Sequence, residues 1–441
     1  MARNTCNGCT RIDTMLDGIT RRDFLRSSGA AAATAAGVSI AFSPGADAQS
    51  AQSIKTLVYV FLRGAMDGLS FVVPIGDGAD AATYRQRRSA TRMSITDTDT
   101  ARRPLTLNGG QPFGLHPAAG GLRTLFNENR LAIIQGAGHL DPATYNRSHF
   151  DAQEQVELGT PGVQAFTHGW LAKHLVTATR LPGAIFNAVA AASTPPQSLQ
   201  GWAETVTVSN TSGFHPDPNH TYSATHLRGL RALYAGSGDL DYAAQAAVDA
   251  VGVIGGIDFG AYAPGGGATY PNTSVANNLK LIATLMRQNI GLNVATINTG
   301  SWDTHVSQGV FQYGGYYNLV EQLSAALTAF YRDLAASGFG DRVAVVVQTE
   351  FGRQVTENSS AGTDHGLAYP MFVLGGKVKG GWYGQFPGLA TTPGDALRPT
   401  VDFRQVLATT IDKLVGNSNP QGVFHSTQSP FSYSPMGFWN P

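Results

Sequence analysis

Three short polar signatures fall between Asp303 and Gly366: Asp303-Thr304-His305, Glu350-Phe351-Gly352-Arg353 and Asp364-His365-Gly366. Carboxylate oxygen and imidazole nitrogen are the donors a divalent cation takes, and the carboxyl edge of an α/β sheet is where such folds hold ligands. Six residues are therefore metal-ligand candidates: Asp67, Asp303, His305, Glu350, Asp364 and His365. One or two ions of zinc, calcium or manganese would suit this mixture.

Each candidate has a competing structural reading. Asp303 and His305 alternate on an extended segment and can face one ion if Thr304 points away; a hydrogen-bonded Asp-His pair without an ion fits the same spacing. Glu350 follows a valine-dominated run, where a carboxylate is costly to bury unless a cation or Arg353 pairs with it. Asp364-His365 sits among small polar residues, in a loop that has little need of histidine for packing. Asp67 is either a ligand or part of an Asp-Gly turn.

A second group could carry bond-breaking chemistry. Ser148-His149-Phe150-Asp151 has the spacing of a helix capping box in its Asp variant. The same helix N-terminus would also favour an attacking alkoxide and bound anionic oxygens. Ser148 is thus a nucleophile or a cap, and His149 either an acid/base group or a group standing behind the metal's ligands. Arg63, Arg147 and Arg353 are the guanidiniums that could clamp an anion, although Arg63 could equally hold a carboxylate of the protein.

These residues depend on strands and helices that alternate along the chain. Apolar runs at Leu57–Leu62, Leu131–Gln135, Leu292–Ile297, Val343–Val347 and Pro370–Gly376 read as strands, and Tyr84–Arg103 reads as a polar loop. Helices are expected over Pro117–Asn129, from Ser148 onward, over Tyr316–Ala336 and over Phe403–Val415, with Leu319, Leu323, Leu327 and Phe330 on one face of the third. The alternation predicts an α/β fold with a doubly wound, mostly parallel sheet covered on both sides. Between residues 160 and 273 the rhythm is lost, and a cap inserted over the carboxyl edge is expected there.

The N-terminus reads as an address. Arg21-Arg22-Asp23-Phe24-Leu25, an Ala-rich stretch and Ala46-Asp47-Ala48 make a twin-arginine export signal over residues 1–48, so the export machinery is an expected partner. Cys6 and Cys9 would be lost with it. The mature domain over residues 49–441 would be periplasmic or secreted, without a disulfide and without a membrane span. Its length, about 390 residues, is ample for a sizeable core. Thirty basic residues balance thirty acidic ones, so nothing points to nucleic acid or an anionic membrane.

In order, Phe61-Leu62-Arg63-Gly64-Ala65-Met66-Asp67-Gly68-Leu69-Ser70, Phe113-Gly114-Leu115-His116-Pro117, Arg147 through Gln153, Glu350 through Arg353, and Thr363-Asp364-His365-Gly366 resemble the exported bacterial proteins grouped as domain of unknown function 1501 (DUF1501). That family is similar to the alkaline phosphatase and sulfatase superfamily, whose members carry an acidic residue after the first strand, a hydroxyl or modified-Cys nucleophile at a helix N-terminus and late Asp/His ligands. The resemblance implies an alkaline phosphatase-like fold and metal-dependent hydrolysis of a small-molecule or polymeric phosphate or sulfate ester. No cysteine stands at the nucleophile position, which disfavours a formylglycine-type sulfatase. The alternative is a non-catalytic exported binding or assembly protein on the same scaffold.

Overall fold

A computed structural model describes residues 54–94, 96–163, 168–178, 187–202, 204–209, 223–311, 314–389 and 396–441. The proposed export signal, with Cys6 and Cys9, lies outside the described residues, as does the turn-rich run from Asn210 to Asn219.

The strands are β1 (Thr56–Leu62), β2 (Val72–Pro74), β3 (Leu105–Thr106), β4 (Phe113–Leu115), β5 (Leu131–Gly138), β6 (Ala188–Ala190), β7 (Thr205–Thr207), β8 (Val294–Thr299), β9 (Val343–Thr349), β10 (Tyr369–Gly375), β11 (Gly381–Gly384) and β12 (Val401–Asp402). Nine of them form one sheet in the order β11-β5-β10-β9-β1-β8-β6-β7, with β12 beside β5. β10 runs against both of its neighbours, and the remaining pairs are parallel. β2, β4 and β3 make a small antiparallel sheet.

The helices that cover the main sheet include α1 (Gly120–Asn127), α2 (His149–Leu158), α3 (Trp170–Thr177), α4 (Ser274–Arg287), α5 (Gly315–Ala336) and α6 (Phe403–Lys413). Period-two alternation distributes the strand side chains between two cores. Val58, Val60 and Leu62 of β1 meet Leu122 of α1, Leu279 and Ile282 of α4, and Leu323 and Leu327 of α5. Leu57, Tyr59 and Phe61 face the other way, onto Trp170 and Leu175 of α3 and Val406 and Ile411 of α6. All seven residues of β1, and all seven of β9, are buried. That is why both read as continuous apolar runs, and each fully buried Val, Leu or Phe contributes about 1.5–3 kcal/mol. The fold is α/β with a mostly parallel sheet covered on both faces, as the alternation predicts.

Three local differences have physical reasons. Residues 160–273 are not wholly a cap, because β6 and β7 extend the main sheet outward from β8, while the same stretch also contains the helices Ser223–Leu233 and Asp239–Gly255. Three-residue strands are too short to display a period. The stretch read as a polar loop from Tyr84 is helical over Ala79–Arg87, and the next residue, Arg88, is completely buried. α1 begins at Gly120 rather than at Pro117. No helix among the described residues is long and apolar enough to cross a membrane.

Candidate metal centre

Register places the three strand-end signatures side by side. Leu62 of β1 pairs with Thr299 of β8 and with Thr349 of β9, so the chain leaves all three strands at one edge. Reversed β10 begins at that edge, which brings the preceding Asp364-His365-Gly366 to the same place. The loops fit closely: a Cβ on Gly64 (φ +114) would lie 2.5 Å from the backbone nitrogen of Asp303. Only glycine permits that approach and that φ. Ala65 (φ 59) and Ser301 (φ 71) hold left-handed backbone nearby, a strain that recurs where geometry serves a site.

His149, Asp303, His305 and His365 converge, each offering one donor atom within 4.8 Å of every other. His149 Nε2 is 3.4 Å from Asp303 Oδ2, His305 Nε2 is 3.0 Å from Asp303 Oδ1, and His365 Nε2 is 3.6 Å from it. The far nitrogen of every ring has an acceptor. Nδ1 of His149 faces Glu350 Oε1 at 2.8 Å, Nδ1 of His305 faces Asp364 Oδ1 at 2.9 Å, and Nδ1 of His365 faces the Arg147 carbonyl at 2.6 Å. These acceptors place the proton on Nδ1 and leave the Nε2 lone pairs aimed inward, the usual way a protein prepares imidazole ligands.

Two observations test whether a cation fits. His305 Nε2 and His365 Nε2 are 2.8 Å apart, a distance two lone pairs tolerate only with a proton or a cation between them. One proton would satisfy that pair and leave His149 Nε2, which is buried and has no hydrogen-bond partner. A cation satisfies all three nitrogens and the carboxylate.

The charges of the cluster are set by named neighbours. Burial opposes ionisation of Asp303, but the hydrogen bond and charge of Arg353, aided by His149 and His305, hold its pKa below the ordinary carboxylate value. The Glu350 hydrogen bond raises His149 above the ordinary imidazole value, against burial. Burial lowers His365 despite its bond to the Arg147 carbonyl, keeping it neutral and ready to ligate. Burial also works against the charge of Glu350, yet hydrogen bonds from His149, Gln153 and Gly64 keep its pKa low.

Of the six ligand candidates, Asp303, His305 and His365 enter the cluster, and three are assigned elsewhere. Glu350 and Asp364 face the Nδ1 atoms of His149 and His305, Glu350 also accepting from Gln153 Nε2 and the Gly64 amide. Asp67 is fully buried and saturated: Arg88 donates to both of its oxygens at 2.7 and 3.1 Å, with Ser70 at 2.6 Å and Gln308 at 2.8 Å. His149, expected as an acid/base group, supplies the fourth donor.

The arginines also differ in role. Arg353 donates to Asp303 Oδ1 (2.5 Å) and to the carbonyls of Ala65, Gly64 and Thr363, so it braces the loops and pairs with Asp303 rather than Glu350. Arg63 is bound to Gln153 and Glu157. Arg147 is exposed beside the cluster. Ser148 occupies the N-cap position of α2 but makes no side-chain cap bond; Asn146 accepts from the Ser148 amide and donates to Asp151 instead. The capping box is therefore not formed. His149, Gln153 and Glu157 lie four residues apart on one face of α2, a visible signal that this helix reaches the strand ends through polar groups.

The chain matches the family described as protein of unknown function (DUF1501) over residues 142–434. No curated protein matches it. Among solved structures, Ps i-CgsB in complex with k-i-k-neocarrahexaose is 8% identical, covering 85% of this chain and 75% of that one at a TM-score of 0.38. The lipoteichoic acid synthase LtaP from Listeria monocytogenes is 11% identical, covering 82% and 72% at a TM-score of 0.31. Likeness this distant assigns no chemistry. The family match spans well over half of the sequence, and the chain belongs to the DUF1501 family.

Proposed function

We propose that the protein is a metal-dependent hydrolase of a phosphate or sulfate ester, acting in the periplasm or outside the cell after twin-arginine export. The observation that carries the reading is the convergence of three imidazole Nε2 atoms on Asp303, each with its Nδ1 already engaged. Three nitrogens and one carboxylate suit zinc or manganese and disfavour calcium, which takes oxygen ligands. Among the described residues one cluster has this geometry, which favours a single ion.

A bound ion would polarise the ester and lower the pKa of a hydroxyl or water beside it. The chain's own groups supply the rest. Ser148 keeps its hydroxyl out of the helix cap, next to His149 at the start of α2, where the helix dipole favours a developing alkoxide. Arg147 offers a guanidinium to the anionic oxygens, while Arg353 and Glu350 hold Asp303 and His149 in place. With His149 a ligand, it no longer serves as the leaving-group acid.

The test is elemental analysis of protein purified after native export without chelators, beside a His365→Ala variant matched for folding, followed by a screen of phosphate and sulfate esters. About one equivalent of zinc or manganese in the parent, lost in the variant, is expected together with metal-dependent ester cleavage. Absence of metal from the parent would overturn the reading in favour of an exported binding protein.

A further inference from the structure

Asn358 stands where two ligand-bearing loops meet. Its Nδ2 donates to Asp364 Oδ1 at 3.0 Å and to the His305 carbonyl at 2.9 Å. Its Oδ1 accepts from the amides of Ser360 at 2.9 Å and Gly362 at 3.1 Å. The turn so formed lies directly on the segment after Asp303. Ser307 N donates to Ser360 O, Gln308 N to Ala361 O and Thr363 N to Thr304 O, at 2.8–3.1 Å. A Cβ on Gly362 would sit 2.2 Å from the His305 carbonyl oxygen. One side-chain amide therefore fixes both the backbone of His305 and the carboxylate that accepts the His305 Nδ1 proton.

Asp364 needs this help. About half of its side chain is exposed, and Asn358 and His305 share one of its oxygens. Without the amide, that carboxylate could turn to water and His305 would lose the acceptor that keeps its Nε2 free. Relays of this type are orienting devices for imidazole ligands.

We propose that Asn358 is a positioning residue for the metal centre, setting the tautomer and orientation of His305 through Asp364. The proposal rests on the metal reading above. Asn358→Asp isolates the effect, because the aspartate keeps an oxygen for the amides of Ser360 and Gly362 while replacing the donor with a charge that repels Asp364. Combining Asn358→Asp with Asp364→Asn restores a donor and an acceptor in exchanged places.

The measurements are zinc affinity by chelator competition, melting of the metal-free protein, and the ring-nitrogen shifts of His305 in that metal-free protein. Asn358→Asp should weaken zinc binding about 10–100-fold and move His305 away from the Nδ1-protonated tautomer, with the exchanged pair recovering part of both. Unchanged affinity and shifts in Asn358→Asp, or no recovery in the exchanged pair, would overturn the proposal. If the parent binds no zinc, the metal reading fails and the nitrogen shifts decide: movement with recovery supports the positioning role, and no movement refutes it. If Asn358→Asp does not fold, Asn358→Ser, which keeps a small donor, is expected to show the same loss of affinity or shift of tautomer; parent values would overturn the proposal.

Discussion

Asp67 and Asp303 stand beyond the ends of adjacent parallel strands, β1 and β8, and each is paired with a buried arginine, Arg88 for the first and Arg353 for the second. They differ in what remains after pairing. Arg88 donates to both oxygens of Asp67, and Ser70 and Gln308 add further bonds. Arg353 reaches only Oδ1 of Asp303 and directs its other donors to backbone carbonyls and, at 3.4 Å, to His305 Nε2, leaving Oδ2 turned toward His149 Nε2. The first arrangement is closed and the second is open. A ligand site is recognised by donor lone pairs left without a partner, and a count of acidic residues does not reveal them.

The largest expected effect comes from opening the closed one. Arg88→Met leaves the Asp67 charge buried without its partner and should cost about 3–5 kcal/mol in denaturant unfolding, with no specific loss of metal from the folded fraction. A variant as stable as the parent would erase the contrast. In the open arrangement the loss moves to the ion. Asp303→Asn should lower metal affinity by about 100-fold or more, yet cost the metal-free fold less than about 1 kcal/mol, because this side chain is 45% exposed. A large loss of apo stability would show that Asp303 is mainly a structural partner of Arg353.

Acid should separate the two regions. Imidazoles must be neutral to ligate, and His149 has a raised pKa, so metal content after dialysis should fall as pH drops from about 7 toward 5. The Asp67 pair responds later. Burial raises its folded pKa, but the charge and hydrogen bonds of Arg88 with those of Ser70 and Gln308 together hold it below the unfolded value, so its contribution is present above about pH 4 and is lost as pH falls through the folded value. His139 and His174 add a graded loss. Burial pushes both down to about 4, so the unfolded chain binds more protons between about pH 6.5 and 4, and stability decreases across that window. Circular dichroism should therefore show a weakened but folded, metal-depleted protein near pH 5; simultaneous loss of ion and fold would contradict the distinction. The smallest effect belongs to Ser148. Because its hydroxyl does not cap α2, Ser148→Ala should change stability by less than about 0.5 kcal/mol, where a capping serine typically costs about 1. Retained ester cleavage in that variant would remove Ser148 as the nucleophile.

The strand framework was legible because β1 and β9 are buried on both faces and therefore read as unbroken apolar runs. Asp303, His305 and His365 were legible because they sit next to such runs in donor-like spacing. What remained hidden was pairing. Arg88 belongs to a stretch whose arginines and threonines read as surface, so the partner that closes Asp67 could not be anticipated. Glu350 and Asp364 read as metal ligands, but composition cannot tell a carboxylate that would hold an ion from one that faces an imidazole. β6 and β7 were missed because three residues carry no measurable period. Asn358 lacked any signal: a turn asparagine is common, and its importance comes from where the turn lands.

The reversed direction of β10 has a consequence for the order in which the protein acquires its shape. β9 and β10 pair antiparallel, so residues 350–368 form one excursion that leaves and re-enters the same edge. Glu350, Arg353, Asn358, Asp364 and His365 all ride on it. Closing so short a loop costs little entropy, so this half can assemble early and locally. His149 and Asp303 arrive from distant parts of the chain and need α2 and β8 in place beside β1. The donor set is consequently complete only once β1, β8, β9, β10 and α2 are together, so cation uptake would report that this part of the sheet has closed.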